Sequence, residues 1–179
     1  ASNIETKNLI YIGSSCMYPK GLEVPMPEEF IGTGTLEETN EGYALAKIVG
    51  TKTVSLTAST KKLNWKTLVL SNLYGPRDNF DLNGSHVLPA FIRRFVEASE
   101  SGAKKVTLWG SGNPLREFLH VDDLAQAVVV ASEKYDSSLH LNVGSGEDLS
   151  IKDLAEKVAA AAGFAGEIEW DSSKPDGTP

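Results

Sequence analysis

Cysteine is almost absent from this sequence, which has a single one, Cys16, among 179 residues. An intramolecular disulfide is therefore impossible within this chain, and a reducing compartment such as the cytoplasm is the expected location. Histidine is also scarce, with three residues. The histidines and the cysteine do not have the spacing of a metal site, so we expect no structural zinc and no other bound metal.

Long apolar runs and an excess of positive over negative charge are lacking as well. No apolar run approaches the roughly 20 residues that a membrane-spanning helix needs. The formal net charge is −7 at pH 7. An acidic chain of this kind is a poor ligand for phosphate-rich surfaces, because like charges repel. We therefore expect neither nucleic acid nor a membrane among its partners.

A glycine-rich phosphate-binding turn is also missing. Dinucleotide-binding folds begin with a strand and a turn that contains three spaced glycines. Here Gly32 and Gly34 stand close together, but no third glycine completes the pattern and no strand pattern precedes them. We interpret this stretch as a loop.

Strand and helix patterns alternate along the rest of the chain, which predicts an α/β fold with a mainly parallel sheet. The predicted strands are residues 9–13, 65–71, 106–109, 118–121, 139–144 and 167–170. The predicted helices are residues 41–59, 87–100, one beginning at Asp122 or Asp123, and 151–162.

The segments between these elements carry turn and cap signals. Residues 17–39 contain several prolines and glycines and are predicted to form a long surface loop. Residues 72–76 end in Gly-Pro, which predicts a turn. Thr39 or Asn40 could cap the first helix, and Ser150 begins a sequence similar to a capping box.

Three residues form a plausible unit for hydride-transfer chemistry. Tyr43 and Lys47 lie four residues apart on a predicted helix, so they share one face. A nearby ammonium ion stabilises a phenolate and makes tyrosine a better acid–base group near neutral pH. Ser14 ends a predicted strand, and its hydroxyl can hold the oxygen that a tyrosine protonates. The Tyr-Lys spacing also occurs on ordinary solvated helices, but the Gly-Ser-Ser strand end before it favours catalysis.

This pairing resembles the extended short-chain dehydrogenase/reductase family, and the similarity runs in order along nearly the whole chain. The residues that carry it are 14–20 (Ser-Ser-Cys-Met-Tyr-Pro-Lys), 43–47 (Tyr-Ala-Leu-Ala-Lys), 72–80, 85–90, 106–118 and 173–179. The resemblance implies a Rossmann-like doubly wound parallel sheet. It also implies that the glycine-rich turn lies upstream of Ala1, so that this chain is the C-terminal part of a longer protein.

The resemblance further implies an NADPH-dependent enzyme that epimerises GDP-4-keto-6-deoxy-D-mannose at C3 and C5 and reduces it at C4. The catalytic residues that it implies are Ser14, Cys16, Tyr43, Lys47 and His86. The residues implied for NADP are Tyr43, Lys47, Asn72, Leu73 and His86. Those implied for the GDP-sugar are Arg94, Trp109 and Arg116.

Cys16 and His86 are implied to move the protons at C3 and C5. From the residues alone, a lone cysteine after a strand is more often a small buried side chain, and a lone loop histidine is more often a surface residue. Which of the two is acid or base at each carbon stays open. His120 and His140 are predicted to be structural.

Two lobes and a dimer complete what the resemblance implies. The cofactor lobe would comprise residues 1–78 and 118–146, and a smaller substrate lobe residues 79–117 and 147–179. The helix that carries Tyr43 would contribute to a homodimer contact.

Two alternatives remain. The first is another extended-family NAD(P)-dependent nucleotide-sugar enzyme, either a 4-epimerase or a 4,6-dehydratase. Ser15 and Cys16 stand where dehydratases usually carry an acidic pair, which disfavours the dehydratase. The second alternative is a non-catalytic nucleotide-binding scaffold, which the intact Ser14, Tyr43 and Lys47 disfavour.

One departure from the family pattern is Leu70-Ser71-Asn72, where Pro-Thr-Asn is usual.

Overall fold

The structure is a computed structural model that describes residues 6–22, 25–81, 84–174 and 176. Residues 1–8 are polar and are expected to finish a helix or loop that leads into the first strand, but residues 1–5 lie outside the described residues. Most of the end of the 173–179 motif also lies outside them. The chain divides into two compact units, Ala1–Leu73 with Leu119–Ser145 and Tyr74–Phe118 with Gly146–Pro179.

Strands and helices alternate along the described residues. The strands are β1 (Asn8–Ser14), β2 (Asn64–Leu70), β3 (Asn72–Tyr74), β4 (Lys105–Trp109), β5 (Leu115–His120), β6 (His140–Val143), β7 (Asp148–Ser150) and β8 (Glu167–Asp171). The helices are α1 (Glu41–Lys61), α2 (Val87–Glu100), α3 (Val121–Lys134) and α4 (Ile151–Ala161). Short 3-10 turns lie at Ser15–Met17, Glu28–Phe30 and Glu38–Asn40.

The first unit is built on a parallel sheet with strand order β1–β2–β6. The central strand β2 is buried from Trp65 to Leu70. Its side chains alternate between two faces, as the pleat requires. Trp65 packs with Val54 and Ala58 of α1, whereas Leu68 packs with Ala131 of α3.

Helices therefore cover both faces of this sheet. A parallel strand buried on both sides needs apolar residues at nearly every position, which explains the largely apolar pattern of residues 65–70. Lys66 and Thr67 are the exceptions, each with 1% of its surface exposed. The Lys66 ammonium group donates hydrogen bonds to the carbonyls of Ala131 and Tyr135 at the end of α3. The predicted α/β class with parallel strands and helices on both faces is confirmed.

The second unit has its own core. Phe91 and Phe95 of α2 pack with Leu108 of β4, Ala155 of α4 and Phe164. Strands β4 and β8 pair in parallel, and β5 pairs antiparallel with β7. The prediction of a helix over residues 87–100 is confirmed by α2.

Of the two side-chain helix caps predicted from the sequence, the structure has the one at α4 and lacks the one at α1. Ser150 caps α4 as expected, because its hydroxyl accepts a hydrogen bond from the Asp153 amide at 3.0 Å. Asn40 occupies the cap position of α1, but its side chain makes no capping hydrogen bond. The expectation that Thr39 or Asn40 would cap α1 through its side chain is therefore wrong, and α1 is instead entered directly from a 3-10 turn.

The predicted surface loop at residues 17–39 is only partly a surface feature. Met17, Tyr18, Ile31 and Leu36 are all less than 8% exposed. Met17, Tyr18 and Ile31 pack with Val69 of β2 in one apolar cluster. The polar, proline-rich composition concealed these buried residues, because they are scattered along the segment and follow no helix or strand period.

The predicted turn at residues 72–76 is the other correction. Asn72–Tyr74 form β3, and the turn follows at residues 76–77. Three residues are too few for a strand pattern to be recognised, and β7 was missed for the same reason.

α1 is the longest helix at 21 residues. Among the described residues, no helix combines the length and apolar character that crossing a bilayer would require.

Candidate active site

The predicted site residues are distributed over both units. Those in the first unit are Ser14, Cys16, Tyr43, Lys47, Asn72 and Leu73. Those in the second unit are His86, Arg94, Trp109 and Arg116.

Ser14 and Cys16 lie on a tight turn at the carboxyl end of β1. Ser14 has an extended backbone and begins the 3-10 turn at Ser15–Met17. Its hydroxyl oxygen accepts a hydrogen bond from the Cys16 amide at 3.3 Å. Because the oxygen acts here as an acceptor, the hydroxyl proton remains available to a further acceptor. Both side chains are partly exposed.

Lys47 connects α1 to the same end of β1. Its ammonium group donates a hydrogen bond to the carbonyl oxygen of Ile12 at 2.8 Å. Ile12 lies two residues before Ser14, and strand geometry separates such residues by roughly 7 Å. The contact therefore brings the start of α1 to the strand end that carries Ser14.

Tyr43 lies on the same face of α1 as Lys47. The Lys47 nitrogen lies 5.6 Å from the centroid of the Tyr43 ring and 5.2 Å from that of Tyr11. The positive charge thus stands beside the phenol, as the spacing of four residues predicted. Tyr43 is 51% exposed, so its hydroxyl is accessible to a ligand.

Asn72 and Leu73 follow β2 and are therefore near the carboxyl edge of the sheet, where ligands of such sheets bind. Between β2 and β3, the hydroxyl of Ser71 is buried and has no hydrogen-bond partner among the described residues. An unpaired hydroxyl in this position fits a polar ligand such as a dinucleotide. No group of histidine, cysteine and acidic side chains among the described residues could hold a metal ion.

His86 precedes α2 in the second unit. Its carbonyl accepts the first helical hydrogen bond from Ala90 at 3.1 Å. Its exposed side chain makes no capping hydrogen bond. The hydroxyl of the neighbouring Ser85 is buried and unpaired among the described residues. The imidazole is therefore accessible, and a second polar group stands beside it in the sequence.

Arg94 and Trp109 are brought together by α2 and β4. The Arg94 guanidinium donates a long hydrogen bond of 3.4 Å to the carbonyl of Thr107, two residues before Trp109. Trp109 is 64% exposed, and the Lys174 nitrogen lies 5.7 Å from the centroid of its ring. A guanidinium and an exposed aromatic surface are suitable groups for a diphosphate and a base.

The turn between Trp109 and Arg116 is held by an interaction that sequence analysis missed. The carboxylate of Asp176 accepts hydrogen bonds from the Ser111 amide and from the Ser111 hydroxyl, the latter at 2.8 Å. These bonds, the amide first, lower the pKa of Asp176 below its usual value of 3.8. Gly110 is in the left-handed region with φ +86°, and a Cβ there would meet Asp176. Arg116 donates to the carbonyl of Leu115 at 2.6 Å.

The two histidines predicted to be structural make backbone contacts. The His120 ring accepts a hydrogen bond from the Asp122 amide at 3.2 Å and so caps α3. A ring nitrogen of His140 lies 2.6 Å from the carbonyl oxygen of Glu28. Histidine is an uncommon cap, so the sequence placed the start of α3 at the aspartates instead.

Comparison with known proteins gives consistent results. Residues 1–144 match the model of the NAD dependent epimerase/dehydratase family. The chain is 52% identical over 173 residues to the probable GDP-L-fucose synthase 1 of Oryza sativa subsp. japonica, covering 97% of this chain and 53% of that protein. It is 45% identical over 184 residues to the GDP-L-fucose synthase of Escherichia coli (strain K12), covering 98% and 57%.

A solved structure has the same fold. The GDP-L-fucose synthetase of Naegleria fowleri, in a crystal structure with bound NADP, superposes with a TM-score of 0.86 at 29% identity. The match covers 96% of this chain and 55% of that one. The chain therefore spans about half the length of the relatives that it matches.

Proposed function

Because the chain belongs to the NAD dependent epimerase/dehydratase family, we propose that it is part of a GDP-L-fucose synthase. That enzyme would convert GDP-4-keto-6-deoxy-D-mannose to GDP-L-fucose by epimerisation at C3 and C5 and NADPH-dependent reduction at C4. The names of its curated relatives support the proposal.

One structural observation supports the reductase step most directly. Lys47 bonds to the carbonyl of Ile12 at 2.8 Å and stands 5.6 Å from the Tyr43 ring. The lysine thus holds its charge beside the phenol while tying α1 to the strand end that carries Ser14. A purely structural lysine would not need an accessible tyrosine beside it.

NADP is the proposed cofactor, and Tyr43, Lys47, Asn72, Leu73 and His86 would hold it. NADPH, when bound, supplies the hydride that reduces C4. The buried and unpaired hydroxyl of Ser71, next to Asn72, supports a polar ligand at this edge. The NADP in the Naegleria fowleri structure supports the choice of cofactor.

The residues of this chain would handle the protons of the reduction. Tyr43 would donate its proton to the C4 oxygen as the carbonyl becomes an alcohol. Lys47 would stabilise the phenolate that remains. Ser14 would donate a hydrogen bond to the same oxygen, since its own oxygen is engaged by the Cys16 amide. The oxygen thus receives one proton and one hydrogen bond.

Cys16 and His86 would serve the epimerisations. Inverting a carbon beside a ketone requires removal of its proton from one face and delivery of a proton to the other. Thiol and imidazole are suitable groups because both exchange protons near neutral pH. Both side chains are at least partly exposed.

Arg94, Trp109 and Arg116 would bind the GDP part of the substrate, the arginines through the diphosphate. Residues 1–78 and 118–146 would accordingly form a cofactor lobe, and residues 79–117 and 147–179 a substrate lobe. We also propose a homodimer and a cytoplasmic location. The exposed apolar residues Leu45, Val49 and Leu56 on α1 support the dimer.

The test uses the full-length protein that contains this chain. It would be incubated with GDP-4-keto-6-deoxy-D-mannose and NADPH in deuterated water, and the product read by NMR. Deuterium at C3 and C5 together with GDP-L-fucose is the expected result. Turnover of a different nucleotide sugar instead would replace this proposal with another epimerase of the family. No heat of NADPH binding in calorimetry would favour a non-catalytic scaffold.

A further inference from the structure

Asn142 on β6 holds the loop that follows Cys16 through three hydrogen bonds. Its side-chain oxygen accepts from the hydroxyl of Tyr18 at 2.7 Å. Its side-chain nitrogen donates to the carbonyl of Met26 at 2.9 Å. Its backbone amide donates to the carboxylate of Glu28 at 3.1 Å. We call Asn142 and these three partners the Asn142 clamp.

The neighbouring residue His140 adds a further contact between the same two segments. One of its ring nitrogens lies 2.6 Å from the carbonyl oxygen of Glu28. The start of β6 is therefore attached to the loop at Tyr18, Met26 and Glu28. All these residues belong to the first unit.

The clamp acts on the turn that carries the thiol. Tyr18 follows Cys16 by two residues, and its amide donates to the Ser15 carbonyl at 3.1 Å, closing the 3-10 turn. Met17 between them is fully buried and accepts a hydrogen bond from Thr51 of α1 at 3.6 Å. Cys16 itself is only partly buried. Buried neighbours thus fix the turn and leave the thiol only partly exposed.

Tyr18 uses its hydroxyl for this clamp. The residue is 6% exposed and packs with Ile31 and Val69. A buried hydroxyl that loses its partner is costly, so the Asn142 oxygen determines where the ring settles. The position of the Tyr18 ring therefore also fixes the position of the 3-10 turn at Ser15–Met17.

We propose that Asn142 and Tyr18 are positioning residues for Cys16, which they hold in the orientation required for proton transfer to and from the sugar. This inference rests on the proposed function for its catalytic consequence. Its structural part, the immobilisation of the Cys16 turn, stands without it.

The first measurement is the reactivity of the thiol. The full-length protein would be alkylated with iodoacetamide, and the peptide that contains Cys16 followed by mass spectrometry. Tyr18→Phe removes one hydroxyl and keeps the ring. Because the thiol is only partly exposed in the held turn, we expect iodoacetamide to react mainly when the turn is loosened. Loss of one hydrogen bond raises the population of that state roughly fivefold, so alkylation should accelerate by about that factor. Tyr135→Phe is the matched control, because it removes a hydroxyl from the same unit away from the turn.

Asn142→Ala provides the second variant, and the double variant tests the mechanism. Two residues that act through one shared hydrogen bond have non-additive effects. The double variant should therefore alkylate at about the rate of Asn142→Ala alone. If Asn142→Ala does not fold, the comparison of Tyr18→Phe with Tyr135→Phe still decides.

The second measurement is the uptake of solvent deuterium at C3 and C5. In Tyr18→Phe the kcat for uptake should fall measurably, by at most about fivefold, with KM unchanged, because the thiol is held less often in the reacting orientation, and NADPH binding should stay at the wild-type level. If Tyr18→Phe is alkylated at the wild-type rate, the inference that the Asn142 clamp immobilises the Cys16 turn is wrong. Faster alkylation with normal uptake would overturn the positioning role. If the wild type itself shows no uptake, the proposed function fails, and the alkylation rates alone decide whether the turn is held as inferred.

Discussion

Lys47 is the residue whose contacts say most about the reductase step. An ammonium ion on a helix surface usually points into water. Here it is held 2.8 Å from a main-chain carbonyl of the neighbouring strand. Held in this way, the ammonium group lies beside the Tyr43 ring, and no carboxylate among the described residues forms an ion pair with it.

Replacing Tyr43 tests this arrangement. Tyr43→Phe removes the proton donor and keeps the ring beside Lys47. Reduction at C4 should fall by a factor of about 10² to 10⁴, the usual contribution of a positioned acid. Deuterium uptake at C3 and C5 should remain measurable, because it does not use this proton. Stopped-flow oxidation of NADPH measures the first quantity and NMR the second. Reduction at the wild-type rate would remove Tyr43 from the mechanism.

Replacing Cys16 gives the complementary result. Cys16→Ser keeps the size of the side chain but supplies a much weaker acid. Uptake of deuterium at the carbon that it serves should fall by about 10²-fold or more. NADPH binding should be unchanged, which calorimetry would verify. Normal uptake at both C3 and C5 would mean that the thiol takes no part in the epimerisation.

Asp176 allows a prediction about pH. Its pKa lies below the usual 3.8 because it accepts hydrogen bonds from the Ser111 amide and hydroxyl. Below 3.8 the unfolded chain binds the proton more readily than the folded one, so stability decreases as the pH falls. The contribution of Asp176 to the free energy of unfolding is complete above pH 3.8 and disappears as the pH falls through the lowered pKa.

Asp176→Asn should remove this part of the acid dependence. Thermal unfolding of the full-length protein would be followed between about pH 5 and pH 3, with Asp136→Asn as the control on an exposed site. Asp176→Asn should also weaken binding of GDP at neutral pH, because the turn between Trp109 and Arg116 is loosened. Identical acid profiles for the wild type and Asp176→Asn would contradict the assignment.

At the scale of elements, the segment between β1 and α1 combines accessible and buried groups. It exposes polar residues and also buries Met17, Tyr18, Ile31 and Leu36. Long connections within compact domains are often functional. This one leads from Cys16 to Tyr43, so any loosening of it would move both ends of the proposed site.

Tyr18, which lies in this segment, predicts how the stability of the protein changes at alkaline pH. Burial raises its pKa from 10.0 to about 12, against the opposing hydrogen bond with Asn142. Between these values the unfolded state loses a proton that the folded state retains, so stability decreases as the pH rises. The decrease attributable to Tyr18 should be absent in Tyr18→Phe. Urea unfolding between pH 9 and about 11 would measure it, with Tyr135→Phe as the control. Parallel curves for all three proteins would contradict the prediction.

At the scale of the whole molecule, the chain consists of two units with separate cores. The first is arranged around a parallel sheet covered on both faces. The second packs α2 and α4 together with β4. Residues proposed for catalysis and for the cofactor lie mostly in the first, and residues proposed for the GDP-sugar in the second. Such a division lets binding of the two ligands be probed by separate substitutions.

The proposed homodimer yields a prediction at this scale. Leu45, Val49 and Leu56 lie along one side of α1 and are 48%, 63% and 67% exposed. Burying such side chains contributes about 1.5 to 3 kcal/mol each. Val49→Glu with Leu56→Glu should therefore weaken the dimer by at least about 100-fold in sedimentation equilibrium. Val129→Glu, on the exposed side of α3, is the control. A variant that dimerises like the wild type would place the interface elsewhere.

Features that depend on neighbouring residues could be predicted from the amino-acid sequence. The bounds of α2, the Ser150 cap and the shared face of Tyr43 and Lys47 all follow from spacings of three or four residues. The α/β class follows from the alternation of apolar strands with helical patterns. These local signals do not require knowledge of which segments meet.

Contacts between residues far apart in the sequence could not be predicted, because they depend on how the elements pack. Tyr18 and Asn142 are 124 positions apart, and Ser111 and Asp176 are 65 apart. Neither pair shares a pattern in the sequence, because each residue alone is compatible with an ordinary loop or strand. Only the packing of β6 against the loop after Cys16, and the position of Asp176 beside the turn after β4, bring them within hydrogen-bond distance.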